Sequence, residues 1–184
     1  MVHSFSDREE DAMSEPQSSA RETVPARKHV EILIVESDSS EIYLTEMAFR
    51  EAGLTSGLRV VRDGDDALLY VRRQGKYANV AIPDLIFLDL SLPRVDGLTV
   101  LKEIKSTPSL MHIPIVVASN SQNPDDVRAV YALNGNCFIR KPSELTQFLR
   151  FIETCYEFWG AIVTFSPPLR TFEQSSRDAE ARGL

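Results

Sequence analysis

Between residues 29 and 166 the chain alternates between two hydrophobic patterns. Short β-rich apolar runs stand at His29–Val35, Leu58–Arg62, Asp84–Leu90, Ile113–Ala118 and Cys137–Arg140, and they predict five strands. The stretches between them carry apolar residues at helical spacing and open on helix-start residues. Asp38-Ser39-Ser40-Glu41 has the form of a capping box, with Asp38 accepting from the helix start and Glu41 reaching back. Leu44, Met47 and Ala48 follow at helical spacing, and Gly53 suits the C-terminal stop. Asp65 is placed to cap a second helix through Ala67, Leu68 and Val71, and Gly97 to Ser106 puts Leu98, Leu101 and Ile104 on one face. Asn123-Pro124 is a cap followed by proline at the first helical position, for a helix running to about Leu133. Ser143 opens a long last helix that reaches Trp159 or beyond. Strands alternating with helices mean βα units on a parallel sheet, and Leu85-Ile86-Phe87-Leu88, apolar throughout, fits burial between two helix layers. The expected fold class is α/β, doubly wound.

Composition sets the limits of this picture. Residues 1–28 are rich in Ser, Glu, Asp and Arg with almost no aliphatic periodicity, so they read as a disordered tail. From Pro167 the chain turns polar again, leaving 29–166 as one domain and 167–184 as a polar C-terminal tail. The apolar runs Ile82–Leu88 and Ile113–Ala118 fall far short of the roughly 20 residues of a membrane span. No charged start leads into an apolar stretch, and the expected location is cytoplasmic. A net charge of −7, with only Arg72-Arg73 and Arg140-Lys141 as compact basic groups, argues against a nucleic-acid partner. Cys137 and Cys155 lie in apolar surroundings without Cys-x-x-Cys spacing and read as buried free thiols. His3, His29 and His112 show no metal-ligand spacing.

In an open parallel sheet, ligands bind beyond the carboxyl ends of the strands. Those ends here read Glu36-Ser37-Asp38, Asp89-Leu90-Ser91, Ser119-Asn120 and Lys141-Pro142. Acids, a hydroxyl, an amide and a lysine therefore converge on one rim. A helix cap, a strand end or a surface turn would each account for one of these residues alone. Their occurrence at successive strand ends points to a site.

The stretches Ile32-Leu33-Ile34-Val35-Glu36, Asp84 to Pro93, Asp96-Gly97 and Arg140-Lys141-Pro142 resemble the bacterial two-component response-regulator receiver domain, over about residues 28–160. Pro93-Arg94-Val95-Asp96-Gly97, the 119–126 segment and the aromatic final helix are similar to single-domain regulators that accompany bacteriophytochromes. The resemblance implies a flavodoxin-like receiver fold with strand order 2-1-3-4-5. It implies that Asp89 accepts a phosphoryl group from the phosphohistidine of a sensor histidine kinase. Lys141 would be the fixed ammonium, and Ser119 would hydrogen-bond the phosphoryl oxygen. Ser119 and Phe138 would form the switch. Mg²⁺ would be held by Glu36, Asp89 and the backbone carbonyl of Ser91. Such a chain is a phosphoacceptor, with or without autophosphatase activity, rather than a turnover enzyme. It signals through protein contacts, and the resemblance implies a homodimer through the fourth and fifth helices and the fifth strand. In the last helix Leu145, Phe148, Leu149, Ile152, Cys155 and Trp159 form the core stripe. Phe151 and Phe158 fall on a neighbouring stripe and Tyr156, Phe165 and Ala161-Ile162-Val163 add apolar surface, so Phe151, Phe158 and Trp159 are the candidate dimer residues.

The chain departs from the family at one position. The family has two adjacent acids after the first strand, and here the pair is Glu36-Ser37. Asp38 or a water held by Ser37 can fill the place, leaving Mg²⁺ weakly bound. Alternatively no metal binds and the domain is a pseudo-receiver adaptor that is never phosphorylated. An aspartate-nucleophile phosphatase would want a second acid two residues after the nucleophile, where Ser91 stands, and no Gly-rich phosphate loop is present.

Overall fold

The computed structural model describes residues 30–51 and 57–166. The predicted tails at 1–28 and 167–184, and the stop at Gly53, lie outside these residues. Five strands, β1 (Ile32–Val35), β2 (Leu58–Val61), β3 (Leu85–Leu88), β4 (Ile115–Ser119) and β5 (Cys137–Arg140), form one parallel sheet in the order β2-β1-β3-β4-β5. This is the expected order. The helices are α1 (Ser39–Glu51), α2 (Gly64–Val71), α3 (Gly97–Ser106), α4 (Pro124–Ala132) and α5 (Leu145–Tyr156), the last continued by a π-helical turn at Glu157–Ile162.

The two-residue period of the strands divides the core in two. Leu33, Val35, Ile86, Leu88, Ile115 and Val117 pack with residues of α2, α3 and α4, such as Ala67, Leu101 and Val130. Ile32, Ile34, Leu85, Phe87 and Val116 pack with Phe49 of α1 and with Phe148 and Ile152 of α5. Phe49, which has no exposed surface, meets Phe87 and Tyr156 edge-on with ring centroids 6.1 and 6.3 Å apart. All residues of β1 and β3 are buried, as strands between two helix layers require.

Several boundaries and phases differ from the sequence reading. β1, β3 and β4 are shorter or shifted, because only residues inside the ladder count as strand. The buried face of α1 is Ile42, Thr45, Ala48 and Phe49, so Leu44 and Met47 are only partly covered. The cap of α2 is Asp63, whose side chain accepts from Asp66 N–H, while Asp65 pairs with Arg94. Gly64, the first residue of α2, admits the Val95 carbonyl, since a Cβ there would lie 2.1 Å from that oxygen. Helix α5 opens after Glu144, not Ser143, without a side-chain cap. Leu145 is 53% exposed and does not join the core, whereas Tyr156, expected at the surface, is buried. Asn123 caps α4 as expected.

Cys155 is buried and Cys137 half-buried, both free. Burial, with Cys137 nearby, pushes the Cys155 thiol up to about 12, so it holds almost no thiolate near neutral pH. Iodoacetamide is therefore expected to leave Cys155 unmodified in the native protein and to alkylate it fully in urea, as read by peptide mass spectrometry.

Candidate functional site

The site is built by the ladder itself. Glu36, Asp89 and Lys141 are each the first residue past a strand, and each backbone N–H still donates to a neighbouring strand. Glu36 N–H reaches Val61 O (3.0 Å), Asp89 N–H reaches Val35 O (3.0 Å) and Lys141 N–H reaches Ser119 O (3.0 Å). All three continue the alternation of Ile34, Phe87 and Ile139, which faces α1 and α5. Ser119 continues that of Val117, and Phe138 packs against the α2–α4 half of the core. Glu36, Asp89 and Lys141 thus meet at one rim on the α1–α5 side of the sheet, while Ser119 and Phe138 lie on the other side.

The Lys141 ammonium is the hub. Its Nζ lies 2.5 Å from Glu36 Oε2, 2.5 Å from Glu41 Oε2 and 3.2 Å from Asp89 Oδ1. Its side chain is only 6% exposed. Burial alone would pull its pKa down, but the bonds to Glu36 and Glu41 and the charge of Asp89 hold it above the usual lysine value. Glu36 is displaced in the same direction: burial raises its carboxyl, against the bond and charge of Lys141 and the Asp38 N–H. The causes differ: for Glu36 burial outweighs the pull of Lys141, whereas for Lys141 the surrounding carboxylates outweigh burial. Phe148 and Phe151 contribute to the apolar wall of the cavity beside Glu36, Glu41, Asp89 and Lys141.

Asp89 is 6% exposed. Its Oδ2 accepts from Ser91 N–H at 3.0 Å, whereas buried Oδ1 receives no hydrogen bond and meets Lys141 only as a charge. Gly97 makes this turn feasible, because a Cβ there would lie 2.2 Å from the Asp89 carbonyl. Arg94, at φ 64°, ties the loop after Asp89 to Asp63 and Asp65 at the start of α2. Ser119 has no exposed surface, and its Oγ accepts from Ser121 N–H at 3.1 Å. Phe138 is half-buried, its N–H donating to the Tyr131 hydroxyl at 3.3 Å.

A divalent cation would find two carboxylates and a carbonyl here. Among the described residues no three His, Cys, Asp or Glu side chains are grouped to hold a metal. Glu36, Asp89 Oδ1 and the Ser91 carbonyl are the oxygens that would hold a hydrated ion, which needs only one or two protein carboxylates. The Ser37 hydroxyl donates to that Ser91 carbonyl at 3.4 Å, bridging the gap where the family's second acid would stand. Asp38 faces solvent and caps α1, its Oδ1 accepting from Ser40 N–H and Glu41 N–H at 2.8 and 3.0 Å. Those two bonds hold its carboxyl below the usual range.

Glu41 was missed as a site residue. The reciprocal half of the capping box does not form, because Asp38 N–H donates to Glu36 Oε1 instead, at 2.8 Å. Glu41 is free to bind Lys141 and to accept from Asn120 Nδ2 at 3.1 Å. A sign was present in the sequence: once Glu36 lies beside the cap, it competes for the N–H that Glu41 would need.

A family model for the response regulator receiver domain matches residues 32–153. Response regulator Rcp1 of Synechocystis is 38% identical over 133 residues, covering 72% of this chain and 90% of that protein. The structure of the phosphorylated cyanobacterial phytochrome response regulator RcpA matches with a TM-score of 0.73 and 41% identity, over 76% of this chain and 100% of that one. The Mn²⁺-bound form of Rcp1 matches with a TM-score of 0.72 and 37% identity, over 75% of this chain and 99% of that one. With a family model matching most of the chain and a parallel sheet in the order β2-β1-β3-β4-β5, the chain belongs to the response regulator receiver domain family.

Proposed function

We propose that this chain is a phosphoacceptor that takes a phosphoryl group on Asp89 from the phosphohistidine of a sensor histidine kinase. The observation that carries this reading is the Asp89 carboxylate, with Oδ2 pinned by Ser91 N–H and Oδ1 buried, free of hydrogen bonds and 3.2 Å from the Lys141 ammonium. In the transfer, an Asp89 oxygen forms the new bond to phosphorus as the phosphorus–nitrogen bond of phosphohistidine breaks. The imidazole leaves with the bonding pair. Lys141 neutralises charge on the equatorial oxygens, and the Ser119 hydroxyl turns its proton toward one of them. Mg²⁺, held by Glu36, Asp89 and the Ser91 carbonyl, would supply further charge neutralisation when bound. The aromatic ring of Phe138, on the same face of the sheet as Ser119, is the element whose packing follows the modification.

The relatives make a bacteriophytochrome the favoured type of kinase, and RcpA is a phytochrome regulator captured phosphorylated. Output passes through a homodimer on the α4–β5–α5 side. Phe158, 49% exposed, meets Trp159 edge-on with ring centroids 5.3 Å apart; Trp159 stacks on Phe165, and Phe151 packs edge-on against Phe148. Phe158, with Leu145 and Ile162, offers the exposed part of that apolar surface.

Beryllofluoride, a mimic of an aspartyl phosphate, tests the site directly. With Mg²⁺ it should give the wild-type protein a bound fluorine resonance and a raised Tm. Ser37→Asp should tighten the dependence on Mg²⁺ by about tenfold, because it restores a carboxylate beside the Ser91 carbonyl. A wild type that stays silent while Ser37→Asp responds would make the chain a receiver-like adaptor.

A further inference from the structure

Glu41 is a charged group at the rim, bound to Lys141, that this reading leaves without a role. We infer that Glu41 is a latch, a positioning residue that holds Lys141 in the unmodified state and yields it to a phosphoryl group on Asp89. The inference rests on the phosphoacceptor reading and extends it to α1 and the β4–α4 loop.

An ammonium has three donors. Two of those of Lys141 are committed to Glu36 and Glu41, each at 2.5 Å. A phosphoryl group on Asp89 adds oxygens more highly charged than a carboxylate; the third donor, which faces Asp89 without a hydrogen bond, can serve one of them, and a second bond to the phosphoryl group requires turning a donor away from one glutamate. Glu36 is the harder to displace. Its side chain is 8% exposed, and its other oxygen is fixed by the Asp38 N–H. The Glu41 side chain is 23% exposed, and its other oxygen is bound to the exposed side chain of Asn120. Glu41 therefore gives way.

Its release has consequences at two elements. Glu41 sits in the first turn of α1, and Asn120 directly follows Ser119 at the end of β4. The Asn120–Glu41–Lys141 chain ties the α1 start to the ends of β4 and β5. When Lys141 turns to the phosphoryl group, that tie loosens on the side facing α1 and α5. The state of Asp89 thus reaches a part of the surface that the Ser119–Phe138 pair, packed on the opposite face, does not touch.

Three proteins test this: wild type, Glu41→Gln, which removes the charge and keeps the size, and Asn120→Ala, which removes the tether and keeps the charge. Each is phosphorylated with acetyl phosphate and Mg²⁺, and the Asn120 side-chain amide is followed by NMR before and after beryllofluoride. Glu41→Gln should phosphorylate about tenfold faster, the scale of one hydrogen bond to a charged group, and Asn120→Ala about threefold faster. The Asn120 amide resonances of the wild type should move on beryllofluoride binding toward their positions in unmodified Glu41→Gln. An active wild type with both variants unchanged or slower, or a stationary Asn120 amide, overturns the latch alone. Acceleration in Glu41→Gln with none in Asn120→Ala reduces Glu41 to a local charge and also overturns it. A wild type inert to acetyl phosphate overturns both the latch and the phosphoacceptor reading.

Discussion

Asp89→Asn is expected to abolish phosphoryl transfer to this chain while making the fold more stable. The amide lacks the nucleophilic charge, so incorporation from a phosphohistidine donor should fall below detection. The same change removes one of three carboxylates crowded around Lys141 in a buried site. Relief of that crowding should raise stability by on the order of 1 kcal/mol, the usual gain when a functional site gives up strain for stability. Transfer assays and urea unfolding on the same preparation check both halves. Loss of stability together with activity would mean that Asp89 serves the fold rather than chemistry.

Lys141→Met should have the opposite balance, with a large loss of stability. It leaves Glu36, Glu41 and Asp89 facing one another without a cation, and breaking such a buried pair from one side costs about 3–5 kcal/mol. The loss should depend on pH. Burial already raises the Glu36 carboxyl, and without Lys141 it loses the bond and the charge that hold it down and rises further above its unfolded value of about 4. An acid raised in this way favours the fold below its unfolded pKa, and that advantage is lost as pH rises through the folded pKa. The variant's deficit should therefore be largest at neutral pH and shrink as pH falls toward 4. In the wild type Lys141 itself is held up, so its contribution persists through the neutral range and fades only in alkali. Urea unfolding across this range measures the difference; a deficit independent of pH would rule out the carboxylate cluster as its cause.

The fold was legible because the two periodicities do not overlap. Strands such as Leu85–Leu88 are short and wholly apolar, and the helices between them carry start signals such as the Asn123 cap. The rim residues were legible because parallel strands expose the residue just past their ends, where Glu36, Asp89 and Lys141 stand. Local competition was harder to read. Asp63 and Asp65 are chemically equivalent as caps, and the sequence around them does not tell that Asp63 accepts from Asp66 N–H while Asp65 pairs with Arg94. The face of α1 was misjudged because Thr45 is buried beside Ile42 while Leu44 is left half-covered, a choice set by where α5 lies. Tyr156 went inward for a similar reason, meeting Phe49 across the α1–α5 interface. Glu41 escaped because its partner lies 100 residues away, and a capping box offered a local explanation that Glu36 then took over.

On the proposed function, Asp89 takes up a phosphoryl group despite serine at position 37. Incubation with acetyl phosphate and Mg²⁺, followed by intact mass and peptide mapping, tests it most directly. One added phosphoryl group is expected, mapped to Asp89, dependent on Mg²⁺ and absent from Asp89→Asn. An unmodified wild-type chain under conditions that phosphorylate Ser37→Asp would contradict it.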